Sequence, residues 1–586
     1  MRQWMVAAKK ADFYVIAEKF HVDPVVARII RNREVIGEKN IRIYLGGNLS
    51  DLSDPHQMKD MDRLVEILAQ KIRKQVHIRI IGDYDVDGVT SSHLFLTALR
   101  RVGAKVDVVI PHRIQDGYGL SLHLLQQAKE DGVDTILTCD NGIAAIDEIA
   151  WAKAQKMTVL VTDHHAVPFE EHEGRRTEKK SLADAVVNPH QQDCGYPYKE
   201  LCGAGVAWNV IRVLYENYDM DKREAEDLLD FVAMATVCDV MSLTGENRIL
   251  VKEGLKRIRH TKNIGLQALM QACNVQPENI SAYHFGYVLG PCVNATGRLD
   301  TARHALRLFE TGQETEAEEI ARDLVDLNQE RKELTLQGVE MAKKLCEEGG
   351  YENDPVLVLF LPDVHESIAG LIAGRIREMY NRPVFVLTRG EEGVKGSGRS
   401  TENYSMYENM CGCAELFTKF GGHPMAAGLS LPEENVEKFR RKINENCPLT
   451  VEEVCPDIHI DMAMPVGYAS TELVHQFALL EPFGKDNPSP LFADRNLSIS
   501  RMWLIGKNRN VLRMSVLSEY GQPVPVIFFG DVETLFAYFT EKFGKEEVEN
   551  ALHGRKNRIL FSMVYTAKID FYQGNENLQL EMKYYR

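Results

Sequence analysis

The sequence predicts an α/β protein with a parallel-sheet catalytic domain, a long helical connector, a second α/β domain and a C-terminal β-barrel. Three observations carry this. Between 76 and 187, five short runs rich in Val and Ile alternate with helical patterns, as in βαβ units whose sheet is covered on both faces. The alternation returns between 355 and 446, after a mostly helical stretch. From 456 onward short strands and turns follow one another, which suits a small antiparallel barrel.

Taken in order, residues 1–70 read as helical and polar. The predicted strands are 76–82 (VHIRIIG), 106–110 (VDVVI), 135–139 (TILTC), 157–162 (MTVLVT) and 184–187 (ADAVV). Helical patterns fill 203–345, and 314–348 is charged and without Pro. That stretch reads either as one helix joining two domains or as an amphipathic helix packed on one of them. Strand 355–361, helix 366–379 and strand 383–387 open the second α/β pattern. The expected boundaries are 1–70, 71–245, 246–350, 351–450 and 456–586, in keeping with three to five domains for 586 residues.

Composition narrows the function classes. Hydrophobic residues make up 44% and charged residues 26%, so a disordered chain is excluded. A net charge of -16 excludes a uniformly basic nucleic-acid coat but leaves room for a local basic groove. The apolar runs are too short to span a bilayer. Eleven scattered cysteines without a CxxC pair suit reduced thiols. With no apolar leader pattern at the N-terminus, a cytoplasmic protein is expected.

The chemistry gathers at strand ends. Strand 76–82 runs into Asp83, Asp85 and Asp87; strand 135–139 into Asp140-Asn141-Gly142; strand 157–162 into Asp163-His164-His165. Ligands of open parallel sheets bind beyond the carboxyl ends of the strands, so three strands deliver carboxylates and imidazoles to one edge. Asp239, after an apolar segment, is a fourth source. Close carboxylates repel unless a cation neutralises them. Oxygen donors with imidazole suit magnesium or manganese, and this many donors can hold two ions roughly 3.5–4 Å apart for phosphoryl hydrolysis. A single Asp after a strand is ordinarily a cap or turn residue; three clusters in order are not. The DxDxDG run lacks the Glu of a calcium loop, since Leu94 holds the twelfth place. No Walker A loop, GxSxG elbow or HExxH motif is present. GAG at 203–205 reads as tight helix packing.

GDYDVDGVTS, PHRIQDGYGLS, TCDNGI, VTDHH and VCDVM, in this order, resemble the DHH phosphoesterase superfamily. VNATGRLD, GSGRS, GGHPMAAGLSL and LEPFGKDNPSPLF narrow the resemblance to its bacterial single-strand exonuclease branch, over about 70–580. The resemblance implies Asp83, Asp85, Asp87, Asp140, His164 and Asp239 as ligands of two Mn2+ or Mg2+ ions, Asp140 bridging. It implies Asp163 as an orienting carboxylate and His165 as the group beside the phosphate. Together with Asp140 these two make up the expected catalytic set.

A phosphodiester also needs donors opposite the metals. Gly421-Gly422-His423 reads as a small-residue turn whose amides can approach an anion. Arginines hold phosphate bidentately, and the resemblance implies that Arg113, Arg298, Ser397 and Arg399 hold a terminal 5′ phosphate and the neighbouring backbone, with Asn294 among the substrate-binding residues. Tyr118 is placed to stack on a base. Over 501–586 there are 12 Lys and Arg against 10 Asp and Glu, and Arg501, Trp503, Lys507, Arg509 and Arg513 cluster. A solvated basic edge around a core Trp is the bland alternative to strand binding; resemblance to an oligonucleotide-binding (OB) barrel favours binding.

The expectation is a metal-dependent exonuclease cutting single-stranded DNA from the 5′ end to mononucleotides. The DNA preference, the polarity and a role in DNA repair and recombination come from the resemblance, as do a helicase and a single-stranded-DNA-binding protein as partners of a monomer. Two rivals stay open: a small-substrate phosphodiesterase, which needs no barrel, and a scaffold without catalysis, which needs no ligand set.

Overall fold

The computed structural model describes residues 3–586 apart from 113–115, 117–118, 173–174, 300–301, 391–392, 507–509 and 573. The described chain forms two compact units, one of residues 49–456 and one of 3–48 with 457–586.

In the first unit, strands β1 Ile78–Ile81, β2 Val106–Val109, β3 Thr135–Cys139, β4 Thr158–Thr162 and β5 Ala185–Val187 form one sheet in the order β2-β1-β3-β4-β5. Every pairing is parallel. β1 and β3 are buried at every position, which is why their sequences are apolar without alternation. The strand order reverses between β1 and β3, and the crevice at such a reversal is where ligands bind in open α/β sheets. Asn141 sits there, its Nδ2 donating to the carbonyls of Ile81 (3.0 Å) and Cys139 (2.9 Å), so one buried amide fixes the ends of both strands.

Helices α1 Val86–Arg101, α2 Gly203–Asn217, α3 Leu229–Cys238 and α4 Gly290–Leu299 surround this sheet edge. Helix α5, Glu314–Glu348, is a single helix about 52 Å long at 1.5 Å per residue. It joins two domains and is not packed on one alone. Its first turns (Ala317, Ile320, Leu324) join the core of the catalytic domain, and its last (Val339, Ala342, Cys346) join that of the second α/β domain.

The second sheet comprises β6 Leu357–Phe360, β7 Val384–Gly390, β8 Gly393–Arg399, β9 Lys419–His423 and β10 Ala426–Leu431, ordered β9-β10-β8-β7-β6, with helix α6 Glu366–Tyr380 against it. Only β6–β7 is parallel; the remaining pairs are antiparallel. Gly421-Gly422-His423 therefore lies in a strand, not in the expected turn. Glycine's low strand propensity hid it; pairing with β10 overrides that preference.

In the second unit, β11 Phe492–Ile505, β12 Val511–Leu517, β13 Pro523–Phe528, β14 Leu560–Tyr572 and β15 Asn575–Tyr585 close into a ring, because β14 pairs with both β15 and β11. The barrel is not purely antiparallel as expected: β13–β15 is parallel, the intervening chain being long enough to carry helices Val532–Phe543 and Lys545–Leu552.

Residues 1–70, expected as one segment, are divided. Val25, Val26, Ile29 and Ile30 of helix Pro24–Asn32 share one apolar cluster with Met502, Leu512 and Met514 of the barrel. The Arg33 guanidinium grips Asp461 bidentately (2.7 and 3.1 Å), and the Tyr44 hydroxyl donates to Asn487 (2.8 Å), whose own amide holds the 480–492 loop. An amphipathic helix must bury its apolar stripe, and here the cover is more than 400 residues away in sequence. Among the described residues no helix is long and apolar enough to cross a membrane.

Candidate active site

Each acidic or histidine residue at the β1, β3 and β4 ends is set by backbone geometry. Asp85 caps α1, its carboxylate accepting from Gly88 N (3.0 Å). A Cβ on Gly88 would lie 2.4 Å from the Asp83 carbonyl oxygen, so only glycine lets the chain fold back after Asp83. Asp87 accepts from the amides of Gly203 (2.6 Å) and Ala204 (2.7 Å) at the start of α2, where helix N-termini present unpaired N–H groups to anions. Asp140 holds a left-handed backbone at φ +61°, tolerated best by Asn and Asp after glycine. A Cβ on Gly203 would meet Asp140 Cβ at 2.6 Å. GAG at 203–205 is thus tight packing, as read, but its amides also hold a carboxylate.

Asp163 is buried and accepts four N–H bonds: His164 N (2.7 Å), His165 N (3.0 Å) and His165 Nδ1 (2.8 Å) on Oδ1, and Ile143 N (2.9 Å) on Oδ2. Burial pushes its carboxyl up, but the bond and charge of His165 outweigh that and hold it below the usual range. Burial likewise pushes His165 down; the bond to Asp163 outweighs it, and the imidazole is pushed up to about 9. With Nδ1 engaged, Nε2 is the nitrogen directed away from Asp163. Asn188 donates to the His165 carbonyl (2.9 Å) and is fully buried. The sequence reading missed Asn188, Gly203 and Ala204; an Asn directly after a strand and glycines at a helix start were the available signals.

The remaining groups converge. His164 Nε2 lies 3.0 Å from Asp140 Oδ1, 3.5 Å from Asp239 Oδ2 and 3.6 Å from Asp87 Oδ2, yet this buried nitrogen makes no hydrogen bond. Burial lowers the His164 pKa. Asp140, buried among Asp87, Asp85, Asp239 and Asp83, is held well above the usual carboxylate range, by burial first and then by those charges; Asp85 is raised by burial and by Asp87. Three donor sets each lie within 4.8 Å: Asp83–Asp85–Asp140, Asp140–His164–His165 and Asp87–His164–Asp239. Asp140 is common to a carboxylate set and a histidine set. A buried imidazole nitrogen facing three carboxylate oxygens without a hydrogen bond fits a cation between them, and mixed O and N donors suit Mn2+ or Mg2+.

Helix α4 crosses this loop. Asn294 Oδ1 accepts from Val86 N (3.2 Å), Gly297 packs against the Tyr84 carbonyl, and Arg298 donates to the Ser367 carbonyl at the start of α6. Beyond it, a cavity of about 500 Å³ is lined by Tyr84, Ser367, Lys395, Ser397, Gly421 and Gly428. Ser397, Gly428 and Gly421 are neighbours in register across β8, β10 and β9, so two missing side chains open the sheet face beside the Ser397 hydroxyl. Arg399 donates to Ser397 Oγ (3.4 Å) and to the Gly398 carbonyl (2.7 Å). Gly422 and His423 are exposed on the same strand. Arg113, Tyr118, Lys507 and Arg509 lie outside the described residues.

On the barrel, Trp503 is half-buried on the outer face, opposite Arg513 in register, with the Arg501 guanidinium 5.7 Å from its ring centroid. It is not a core tryptophan; Met502, Leu512 and Met514 fill the interior. A half-buried indole on the outer face, flanked by two guanidiniums, has the chemistry on which unpaired bases stack. Trp503→Ala is expected to weaken affinity for a long single strand about 5- to 150-fold, from ~1–3 kcal/mol per stacked base, read by fluorescence anisotropy at fixed salt.

A parallel sheet with a carboxylate–histidine cluster at its reversal point, a second mixed sheet and an OB barrel define a DHH-type phosphoesterase. The family descriptions "DHH family, N-terminal domain", "DHHA1 domain" and "RecJ OB domain" match residues 77–236, 353–447 and 460–584. The chain is 32% identical over 582 residues to the single-stranded-DNA-specific exonuclease RecJ of Haemophilus influenzae, covering 96% of each chain. It is 33% identical over 511 residues to that of Bacillus subtilis, covering 86% of this chain and 63% of the longer relative. This chain belongs to the RecJ family of single-stranded-DNA-specific exonucleases. The crystal structure of RecJ from Thermus thermophilus in complex with Mn2+ superposes with a TM-score of 0.79 at 25% identity, covering 100% of this chain and 79% of that one. A second, of exonuclease RecJ bound to manganese, matches at 32% identity with a TM-score of 0.56 over 66% of this chain and 94% of the other.

Proposed function

We propose that this chain is a metal-dependent exonuclease that removes mononucleotides from the 5′ end of single-stranded DNA. The observation that carries the reading is the shared placement of Asp140: one buried carboxylate, its pKa raised, belongs both to the set with Asp83 and Asp85 and to the set with His164 and His165. In this reading Asp83, Asp85, Asp87, Asp140, His164 and Asp239 would hold two Mn2+ or Mg2+ ions, Asp140 being the carboxylate common to two of the donor sets. The ions supply a water acidified enough to attack phosphorus and offset the negative charge that builds there.

The protein supplies the rest. Asp87 is aimed by the α2 amides, and Asp163 fixes the ring of His165 and the backbone N–H of both histidines. His165, cationic through Asp163, stands as the donor that protonates the leaving 3′ oxygen or stabilises charge on the phosphoryl group. The α6 cavity, lined by Ser397 and Gly421, with Arg399 bonded to Ser397 and Arg298 to Ser367 at its edge, receives the terminal 5′ phosphate, with Gly422 and His423 farther along the same strand, and so sets exonucleolytic rather than internal cleavage. Asn294 keeps the metal loop in place under the strand. Outside the site, Arg501, Trp503 and Arg513 hold single strand on the barrel. Kinship extends the proposal to DNA repair and recombination by a cytoplasmic monomer working beside a helicase and a single-stranded-DNA-binding protein.

A single strand labelled at its 5′ or its 3′ end tests the reading in the presence of Mn2+. Label released first as mononucleotide from the 5′-labelled strand is the expected result. Early release only from the 3′ end overturns the polarity, and uncut strands overturn the enzyme.

A further inference from the structure

We infer that Tyr283 and Tyr287 form a base-stacking subsite for the part of a single strand lying 3′ of the scissile bond. This inference rests on the exonuclease reading above and adds a binding surface to it.

The two rings are 62% and 71% exposed, among the most exposed large side chains of the chain, yet they lie stacked with centroids 5.0 Å apart and planes 24° from parallel. Solvent offers no reason for two large aromatic faces to be displayed together; unpaired nucleobases do, because every base has a face to stack and the contact is tolerant of sequence.

Their position follows from the helix that carries them. Residues Ala282–His284, Phe285–Leu289 and Gly290–Leu299 run on from one another, the middle stretch being a π-turn. Pro291 supplies the cause. It has no N–H to give to the preceding turn, and its ring crowds the carbonyl of Tyr287, so the helix widens just before it. Single-turn π-bulges of this sort occur often at functional sites. The widened turn is clamped to the end of α3: Cys238 Sγ donates to the Phe285 carbonyl (3.3 Å), and a Cβ on Gly290 would fall 2.3 Å from that sulfur. Phe285 and Leu289 are fully buried, turning the two tyrosines outward. Asp239 is the next residue after Cys238. Val240 follows it with φ +54° and 62% exposure, a strained conformation for a β-branched residue, and adds apolar surface to the same end of α3.

Direction follows from the same helix. Asn294 touches the metal loop at Val86, and Arg298, beyond it, touches the start of α6 beside the terminal-phosphate cavity. Tyr287 and Tyr283 lie on the opposite side of Asn294, about 10 and 16 Å along the axis at 1.5 Å per residue. A strand whose 5′ end enters the cavity and whose first linkage lies over the metal loop reaches the tyrosines with its third to fifth nucleotides, at ~3.4 Å per stacked base.

The test uses the full-length protein with Mn2+. Tyr283→Ala/Tyr287→Ala is expected to raise KM about 10- to 100-fold on a long single strand while leaving the turnover of a dinucleotide within about twofold, since a dinucleotide ends short of the ledge. Tyr283→Phe/Tyr287→Phe, which keeps both faces, is expected to restore the long-strand KM. With 2-aminopurine at the fourth position from the 5′ end, quenching on binding in Ca2+ is expected for the parent and the Phe pair but not for the Ala pair. An unchanged KM in the Ala pair overturns the inference, as does loss on dinucleotide and long strand alike, which marks a structural role. Failure of the parent to cut any strand would fault the exonuclease reading instead.

Discussion

Asp140→Asn is expected to lower strand cleavage by at least ~10³-fold, since it removes the carboxylate shared by both donor sets from a site where charge stabilisation dominates the rate. Asn is the informative replacement. Asp140 has a left-handed backbone at φ +61°, which Asn adopts and which strains Ala, so the effect reads the charge and not the fold. The variant makes a second, opposite prediction. In chelator, Asp140 is a buried acid crowded by four other carboxylates, and its pKa is raised well above the ordinary value. A raised carboxyl pKa means that stability falls as pH rises from the unfolded-state value toward the folded one. Removing the charge therefore raises the metal-free Tm at neutral pH, while the additional rise that Mn2+ gives the parent by mass action is lost. Lower Tm in chelator, or an undiminished Mn2+ shift, would contradict the placement of Asp140 at the bridge.

Asp163→Asn is expected to lower cleavage by about 10²- to 10⁴-fold, the range lost when an orienting or proton-transferring group fails. The reason is geometric. The Asp163 carboxylate accepts four N–H groups and donates none. An amide has one acceptor oxygen, so in either orientation its NH2 faces N–H donors, at a cost of roughly 1–3 kcal/mol for unsatisfied buried groups. His165 then loses the anion that does most to lift its pKa to about 9, and burial, which lowers it, is opposed only by Asp239 and Asp87. The sign is definite. In the metal-free parent His165 stays protonated until pH rises through about 9; in the variant it deprotonates at lower pH, and the stability its ion pair confers at neutral pH is reduced with it. An NMR titration of the His165 ring in chelator checks this. A midpoint that stays near 9 in the variant would show that another acid sets the charge of His165.

Much of this was legible from the chain alone. β1, β3 and β4 were readable because strands buried on both faces must be apolar throughout, and the acids at their ends stood out against that background. Asp163 as an orienting residue followed only from resemblance; its four bonds require coordinates. The glycine strands β8–β10 were not legible, because Gly396, Gly421 and Gly428 carry no strand signal and owe their conformation to neighbours. Nor was the outward placement of Trp503, since one residue of register decides which face of the sheet a side chain takes.

The sequence by itself determined the parallel sheet, the acids and imidazoles at its edge and the barrel that follows, since periodicity and strand-end position are local properties of the chain. Tertiary structure decided the remainder. It seated residues 3–48 in the barrel's core and set Gly203 against Asp140. It also brought Arg298 to the start of α6 and clamped the turn that carries Tyr283 and Tyr287 to Cys238. These contacts join segments from tens to hundreds of residues apart. No local propensity encodes them, because the free energy that selects them comes from burying apolar surface and pairing buried polar groups across the whole fold.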